Sequence, residues 1–436
     1  MSRITSDRLL IVITGGVNGP VTCPSGIAPH RPQDRTAPPP HVPDRLLPVH
    51  RKESRRVLQP KRGLRSPAVG TAIVSSALLL TACGSSGSSR PAGRSPSPAS
   101  PAATGAGGIT CGNAATVPAS GSTAQEFAMK FWIKNYMRAC PGTRITYEAN
   151  GSGAGQSDFL TGKTAFAGSD SALSTAQIGR SESVCADGGR AIHLPMVGGP
   201  IAIAFNLPGV SRLVLDAPAL ARIFDTQITK WNDPAIAKLN PGTTLPSTPI
   251  RATHRSDSSG TTDNFTSYLS TAAPGTWPHG HNKVWTAGGG QSAKGSSGVA
   301  EQVKKTPGAI GYVELTHALA RNVPTASIAT GAPAPVDASV LTASKAIAGS
   351  TPMNADGDLV LKLDYATRAP SAYPIDMVTY EIVCDKGNKP ATWPATKAFL
   401  TYIAGMTGQQ DLSFEGYATL PAMIVNKVRT RINTLA

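Results

Sequence analysis

The sequence predicts an α/β protein built as two lobes of ordinary size, with sheets of mainly parallel strands. Three observations predict it. Short β-branched runs alternate with segments of helical period from about residue 113 onward, and glycine- and hydroxyl-rich loops join one to the other. The proline-rich first hundred residues cannot bury a core, which leaves roughly 330 residues to fold. Of the 37 prolines, 15 lie at or before Pro101.

Along the chain, Gln125–Ala139 sets Phe127/Phe131 and Ala128/Trp132/Tyr136 at i, i+4 spacing, the mark of an amphipathic helix. Arg144–Glu148 and Ile201–Phe205 are short β-branched runs and read as strands, with the helical segment Pro218–Phe224 after them. Thr262–Leu269 reads as a helix, Ala309–Val313 and Met377–Val383 as strands, and Ala395–Ala404 as a last helix. No internal repeat is evident.

The formal charge of +15 suggests nucleic acid until it is apportioned. Residues 1–82 hold 12 basic and 4 acidic side chains, a net of +8, whereas 111–436 hold 27 against 22, only +5. Aromatic residues are 5% of the chain, and no basic run interleaves with them. A nucleic-acid partner is therefore not expected.

Lys61, Arg62 and Arg65 precede the uncharged stretch Ala68–Leu80, too short to span a bilayer and shaped like the apolar region of a signal peptide. Leu80-Thr81-Ala82-Cys83-Gly84 follows, which resembles the lipobox of bacterial lipoproteins, where the cysteine is acylated and becomes the new N-terminus. The expected organisation is an upstream extension over 1–56 with Val57 as candidate initiator, a signal peptide over 57–82, lipidation at Cys83 and a flexible Ser/Gly/Pro linker over 83–110. Ser54-Arg55-Arg56 offers a competing twin-arginine reading without the usual spacing. Beyond Cys83, the folded part holds Cys111, Cys140, Cys185 and Cys384, an even number in an oxidising compartment. Four cysteines allow three pairings and the sequence does not choose; we lean to Cys140–Cys185 with Cys111–Cys384. No cysteine or histidine spacing suggests a metal.

Three loops run into helical segments: Ser120–Ala124, Asn150–Gly155 and Arg255–Thr261. Such loops present backbone N–H groups and hydroxyls at the positive end of a helix, a ready anion site. One alone is a plain cap more often than a site. Three in one exported chain, with an arginine in the third, point to an anion. Other motifs are decoys. Gly162-Lys163-Thr164 lacks the earlier glycine of a P-loop, Gly151–Gly155 is not a dinucleotide fingerprint, there is no GxSxG, and His254 is a lone loop histidine.

The chain from about Cys111 resembles the phosphate-binding lipoproteins of phosphate ABC importers, the PstS type and its actinobacterial branch. The matching segments are Gly121-Ser-Thr123, Asn150-Gly-Ser152-Gly-Ala-Gly155, Gly168–Ser174, Ile228–Asn232 through Leu239–Gly242, His254–Thr261 and Pro307–Tyr312. The resemblance implies a type II periplasmic-binding-protein-like fold, two α/β lobes closing on a hinge over one phosphate. It implies lobe I over 111–197 and 375–436 and lobe II over 198–374, with crossings near Val197–Pro200 and Tyr373–Ile375. Thr123 and the Ala124 amide would bind from the first helix, Ser152 from the second, and Arg255, Ser259, Gly260 and Thr261 from the third. Asp170 would accept a proton still on the phosphate, Asp257 would moderate Arg255, and Ser122 would stand behind the site.

An ionised carboxylate only accepts hydrogen bonds, so Asp170 would repel sulfate, which brings no proton near neutral pH. Ala124 stands where relatives often carry an aromatic, and Ser258 replaces a common glycine, so a positive φ is expected to strain it. The implied function is an extracytoplasmic, lipid-anchored monomeric receptor that delivers phosphate to a permease and ATPase, with no cofactor and no metal. The competing readings are a secreted phosphatase using Ser122 or Ser259, which lacks a base, and a receptor for another oxyanion such as sulfate.

Overall fold

The computed structural model describes residues 108–353, 357–413 and 415–436, all within the unit Arg94–Ala436. The expected upstream extension, signal peptide, Cys83 and most of the linker lie outside the described residues.

Twelve strands are present among them: β1 (Ala115–Gly121), β2 (Thr143–Glu148), β3 (Phe166–Ser169), β4 (Ala191–Phe205), β5 (Val214–Asp216), β6 (Arg251–Arg255), β7 (Gln291–Ala293), β8 (Ala309–Glu314), β9 (Ser327–Ala329), β10 (Thr351–Pro352), β11 (Leu361–Lys362) and β12 (Asp376–Cys384). Eight form one sheet in the order β2-β1-β3-β12-β4-β8-β6-β7; β5 with β9 and β10 with β11 make two small ribbons. Within the sheet β1 pairs parallel with β2 and β3, and β6 pairs parallel with β7 and β8. The three seams made by β4 and β12 are antiparallel, contrary to a simple parallel expectation. The reason is topological: these two strands carry the chain out of one half-sheet and back again, so they run in opposite directions.

All fifteen residues of β4 are buried, as its near-continuous apolar run requires. Ala191–Pro200 pair with β12 and Ile201–Phe205 with β8, so the strand changes partner between Pro200 and Ile201. Pro195 sits at the register shift opposite Tyr380 and Pro200 at the change of partner, the two places where a residue without an N–H costs a ladder least.

Each half-sheet has its own core. Val117, Trp132, Tyr136, Phe166 and Phe399 centre one, and the helix Glu126–Ala139 buries Ala128, Trp132 and Tyr136 as its spacing predicts. Phe205, Phe224, Trp231, Phe265 and Tyr312 centre the other. The helix Val340–Ala348 lies inside the segment expected for lobe II, yet its Ala343 and Ile347 pack with Val378, Tyr380 and Ala418 beside the first half-sheet.

The disulfides are Cys111–Cys140 and Cys185–Cys384, which corrects the pairing favoured from sequence. Cys140 ends the first helix, which returns the chain to the start of β1, where Cys111 waits. Cys384 is in register with Ala191 at the start of β4, six residues after Cys185. Topology, not spacing, sets both pairs. Among the described residues no helix is long and apolar enough to cross a membrane, and no cluster of three metal-binding side chains occurs.

Candidate functional site

Parallel strands put their C-terminal turns along one edge of a sheet, the edge where helix N-termini gather. Each half-sheet has such an edge, and the two edges face each other, because the half-sheets sit on successive stretches of β4 and run in opposite directions. Two turns from each meet here. β1 leads into the helix Glu126–Ala139, β2 into Ser152–Leu160, β6 into Gly260–Ala272 and β7 into Gly295–Lys305. The third is capped by its own Ser259, whose Oγ accepts from the Thr262 amide at 3.2 Å, and the start of the fourth is held by side chains from elsewhere: the Gly295 amide donates to Asp257 Oδ1 at 2.9 Å and the Ser296 amide to Thr123 Oγ1 at 3.1 Å. The first two have no side-chain cap from their N-cap residues. A buried helix start without a capping side chain leaves donors for a ligand to satisfy.

The two half-sheets are in contact at this point. A Cβ on Gly260 would lie 2.6 Å from Asp170 Cβ and 2.7 Å from Ser152 Oγ, and one on Gly153 would lie 2.1 Å from Ser258 Oγ. Only glycine allows either approach. The Gly153 amide donates to the Ser258 carbonyl at 3.0 Å, and Asn264 Nδ2 donates to the carbonyls of both Asp170 and Gly260 at 2.8 Å. Ser258 is not among the residues with positive φ, so the strain expected there is absent.

Arg255 is 2% exposed, and a buried guanidinium demands a partner. It has one in Asp257: Nε donates to Oδ1 at 2.8 Å and Nη2 to Oδ2 at 2.5 Å. Its Nη1 edge has only two long contacts, to Thr261 Oγ1 and Ser296 Oγ at 3.5 Å each, and points among the helix starts. Burial opposes ionisation of Asp257, but the Arg255 bonds and charge, with the Gly295 amide, hold its carboxyl below the usual range. The pair is thus charged and mutually compensated.

Asp170, at the end of β3, is 4% exposed. Its Oδ1 accepts from Thr379 Oγ1 at 2.8 Å and its Oδ2 from Ser152 Oγ at 3.3 Å. Burial pushes its carboxyl above the usual range; Ser122, Thr379, Arg255 and Ser152 pull it back only in part. A more basic carboxylate is a stronger acceptor for a proton on a ligand.

Thr123, Ser152, Asp170, Arg255, Ser259, Gly260 and Thr261 all converge and are buried. Two of the expected binding groups also have partners within the protein. The Ala124 amide donates to Ser122 Oγ at 3.0 Å, and the Ser259 hydroxyl serves as a helix cap. The sequence reading missed Ser296, whose Oγ lies 2.8 Å from Thr123 Oγ1, and Thr379, which bonds Asp170. The signal for Ser296 is a fourth Gly/Ser loop, Gly295-Ser-Ser-Gly298, before a helix; β12 gives no signal for Thr379. His254 stacks on Trp285 with ring centroids 4.9 Å apart and takes no part.

Residues 99–406 match the model of the PBP superfamily domain. A phosphate-binding protein PstS 3 of Mycobacterium leprae (strain TN) is 42% identical over 367 residues, covering 84% of this chain and 97% of its own. A phosphate-binding protein PstS 2 of Mycobacterium tuberculosis (strain ATCC 25618 / H37Rv) is 42% identical over 377 residues, covering 85% and 99%. Among solved structures, a high affinity periplasmic phosphate-binding protein (PfluDING) bound with phosphate has a TM-score of 0.60 at 22% identity, over 72% of this chain and 93% of its own, a likeness of fold.

Proposed function

This chain belongs to the PstS-type phosphate-binding proteins of the PBP superfamily, and from that premise we propose that it is an extracytoplasmic receptor closing over one inorganic phosphate. The observation that carries the reading is the buried meeting of two helix starts without side-chain caps, the Nη1 edge of Arg255 and the carboxylate of Asp170. Because Asp257 compensates Arg255, the ligand's charge is met chiefly by aligned amides and hydroxyls, which are strong donors in a desolvated site. Thr123 and Thr261 donate from their hydroxyls, Ser152 and Gly260 from their backbone amides, and Arg255 from Nη1. Asp170 accepts from the phosphate. A phosphatase reading needs a base beside a serine; the carboxylate beside Ser122 is Asp170, which this reading uses to accept the phosphate proton, and the Ser259 hydroxyl caps a helix.

We place one lobe on the half-sheet of β1, β2 and β3 and the other on that of β6, β7 and β8, with β4 and β12 as the hinge strands. The helix Val340–Ala348 goes with the first lobe. The lipobox at Cys83 supports anchoring to the outer face of the cell membrane, and the family supports delivery to a permease and ATPase. Mass spectrometry of the natural product, seeking acyl chains on Cys83, tests the anchor.

The binding test is thermal denaturation with and without phosphate. At a hundredfold excess over Kd the ligand stabilises the folded state by about 2.7 kcal/mol. Arg255→Ala should abolish most of that gain, and a phosphate-induced shift equal to wild type in this variant rejects the site.

A further inference from the structure

Thr123 is held from across the cleft. Its Oγ1 accepts the Ser296 amide at 3.1 Å and lies 2.8 Å from Ser296 Oγ, while its carbonyl accepts from His317 Nε2 at 2.9 Å. Ser296 and His317 are 173 and 194 residues away in sequence, and both belong to the opposite half-sheet: Ser296 starts the helix after β7, and His317 follows β8. All three residues are buried. His317 is fixed in turn: its Nδ1 faces Ser297 Oγ at 3.3 Å, and its ring packs on Phe127 with centroids 4.7 Å apart. Burial, with the charges of Arg321, Arg255 and Lys130 adding to it, pushes the imidazole down to about 3, so the neutral ring that donates from Nε2 prevails over the working range.

A threonine hydroxyl has one proton and two lone pairs. If the Ser296 amide and hydroxyl both donate to Thr123 Oγ1, both lone pairs are filled and the threonine proton must turn outward, toward the ligand. We propose that Ser296 and His317 are positioning residues: they aim the Thr123 hydroxyl at phosphate, and they do so only when the two halves have closed. The inference rests on the reading of Thr123 as a phosphate donor and goes beyond it, because it makes part of the donor set a product of closure. An open form presents Thr123 without its partners, and phosphate then gains a donor as the cleft shuts, which couples occupancy to the closed shape.

A double-mutant cycle separates positioning from plain stabilisation. Binding of inorganic phosphate is measured by calorimetry for wild type, Thr123→Val, Ser296→Ala and the pair, with the melting temperature in phosphate-free buffer as a control for folding. Ser296→Ala should weaken binding about tenfold in wild type and less than about twofold in the Thr123→Val background, since there is then no hydroxyl to aim. His317→Gln, which keeps a donor near Nε2, should bind within about threefold of wild type, whereas His317→Leu should lose about tenfold. Equal losses from Ser296→Ala in both backgrounds overturn the proposal, as does equal binding by His317→Gln and His317→Leu. Should Ser296→Ala fail to fold, the two His317 variants still decide. A wild-type chain that takes up no phosphate rejects the parent reading instead.

Discussion

Asp170 and Arg255 bring opposite charges into one buried volume, yet only Arg255 has an ionic partner of its own in Asp257. Asp170 has hydroxyls, from Thr379 and Ser152, and burial holds its carboxyl above the usual range. That asymmetry suits an acceptor poised for a ligand proton. A site that requires such a hydrogen bond rejects an analogue lacking it by ~10⁴–10⁵. Asp170→Asn removes the negative charge at nearly constant shape, so sulfate should gain on phosphate by at least ~10²-fold in the ratio of their Kd values. Paired titrations of both anions into both proteins measure it, and an unchanged ratio refutes the acceptor role. At this scale Thr123, Ser152, Asp170 and Arg255 were legible because each sits in a short local motif. Ser296, Thr379 and His317 were not, because what they do depends on partners 173, 209 and 194 residues away.

The four strands and four helices expected from periodicity are all present, and seven keep their ends to within three residues: Thr262–Leu269 widens to Gly260–Ala272, and Ala395–Ala404 becomes Trp393–Ile403. The eighth, Ile201–Phe205, is only the end of β4, which starts at Ala191 because the chain stays extended while it changes partner from β12 to β8. What periodicity did not show is pairing. β7 has three residues and no apolar alternation, so only its neighbour β6 makes it a strand. The direction of β12 follows from chain return, not from its own sequence. The disulfides were missed for the same reason. Their effect scales with the loop each closes, 29 residues for Cys111–Cys140 and 199 for Cys185–Cys384. Loop-closure entropy lost by the unfolded chain corresponds to at most about 4 and about 5 kcal/mol, respectively. Replacing Cys185 and Cys384 with serine should therefore lower the melting temperature more than replacing Cys111 and Cys140, and reducing the wild type should lower it by at least as much as the larger single loss. Calorimetry of the three proteins decides; a larger loss from the short loop contradicts the ordering.

Across the whole molecule, the buried carboxyls set how stability responds to pH. Burial pushes Glu381 up to about 8 and raises Asp376 and Glu314 well above the usual carboxylate range. Asp376 has no hydrogen-bond partner for either carboxyl oxygen. Each such group keeps its proton in the fold at a pH where the unfolded chain has lost it, so stability falls as pH rises from about 4.5 toward 8. His317 works the other way: neutral in the fold down to about 3 but protonated in the unfolded chain below 6.5, it costs stability as pH falls through 6.5. Asp257 and Asp158, held below the usual range, matter only in more acid solution, and the half-buried Lys283, lowered from 10.5, opposes the trend on the alkaline side. Between pH 6.5 and 8 the raised carboxyls therefore prevail. In phosphate-free buffer the melting temperature should fall across that window, with Glu381 alone contributing a slope of up to about 1.4 kcal/mol per pH unit. Glu381→Gln deletes that proton without deleting the shape. Its stability at pH 8 should exceed that of wild type, with a slope shallower by about one proton. A variant whose profile parallels wild type over the window would show that Glu381 ionises freely in the fold, and that the sheet beneath Asp170 is wetter than its packing implies.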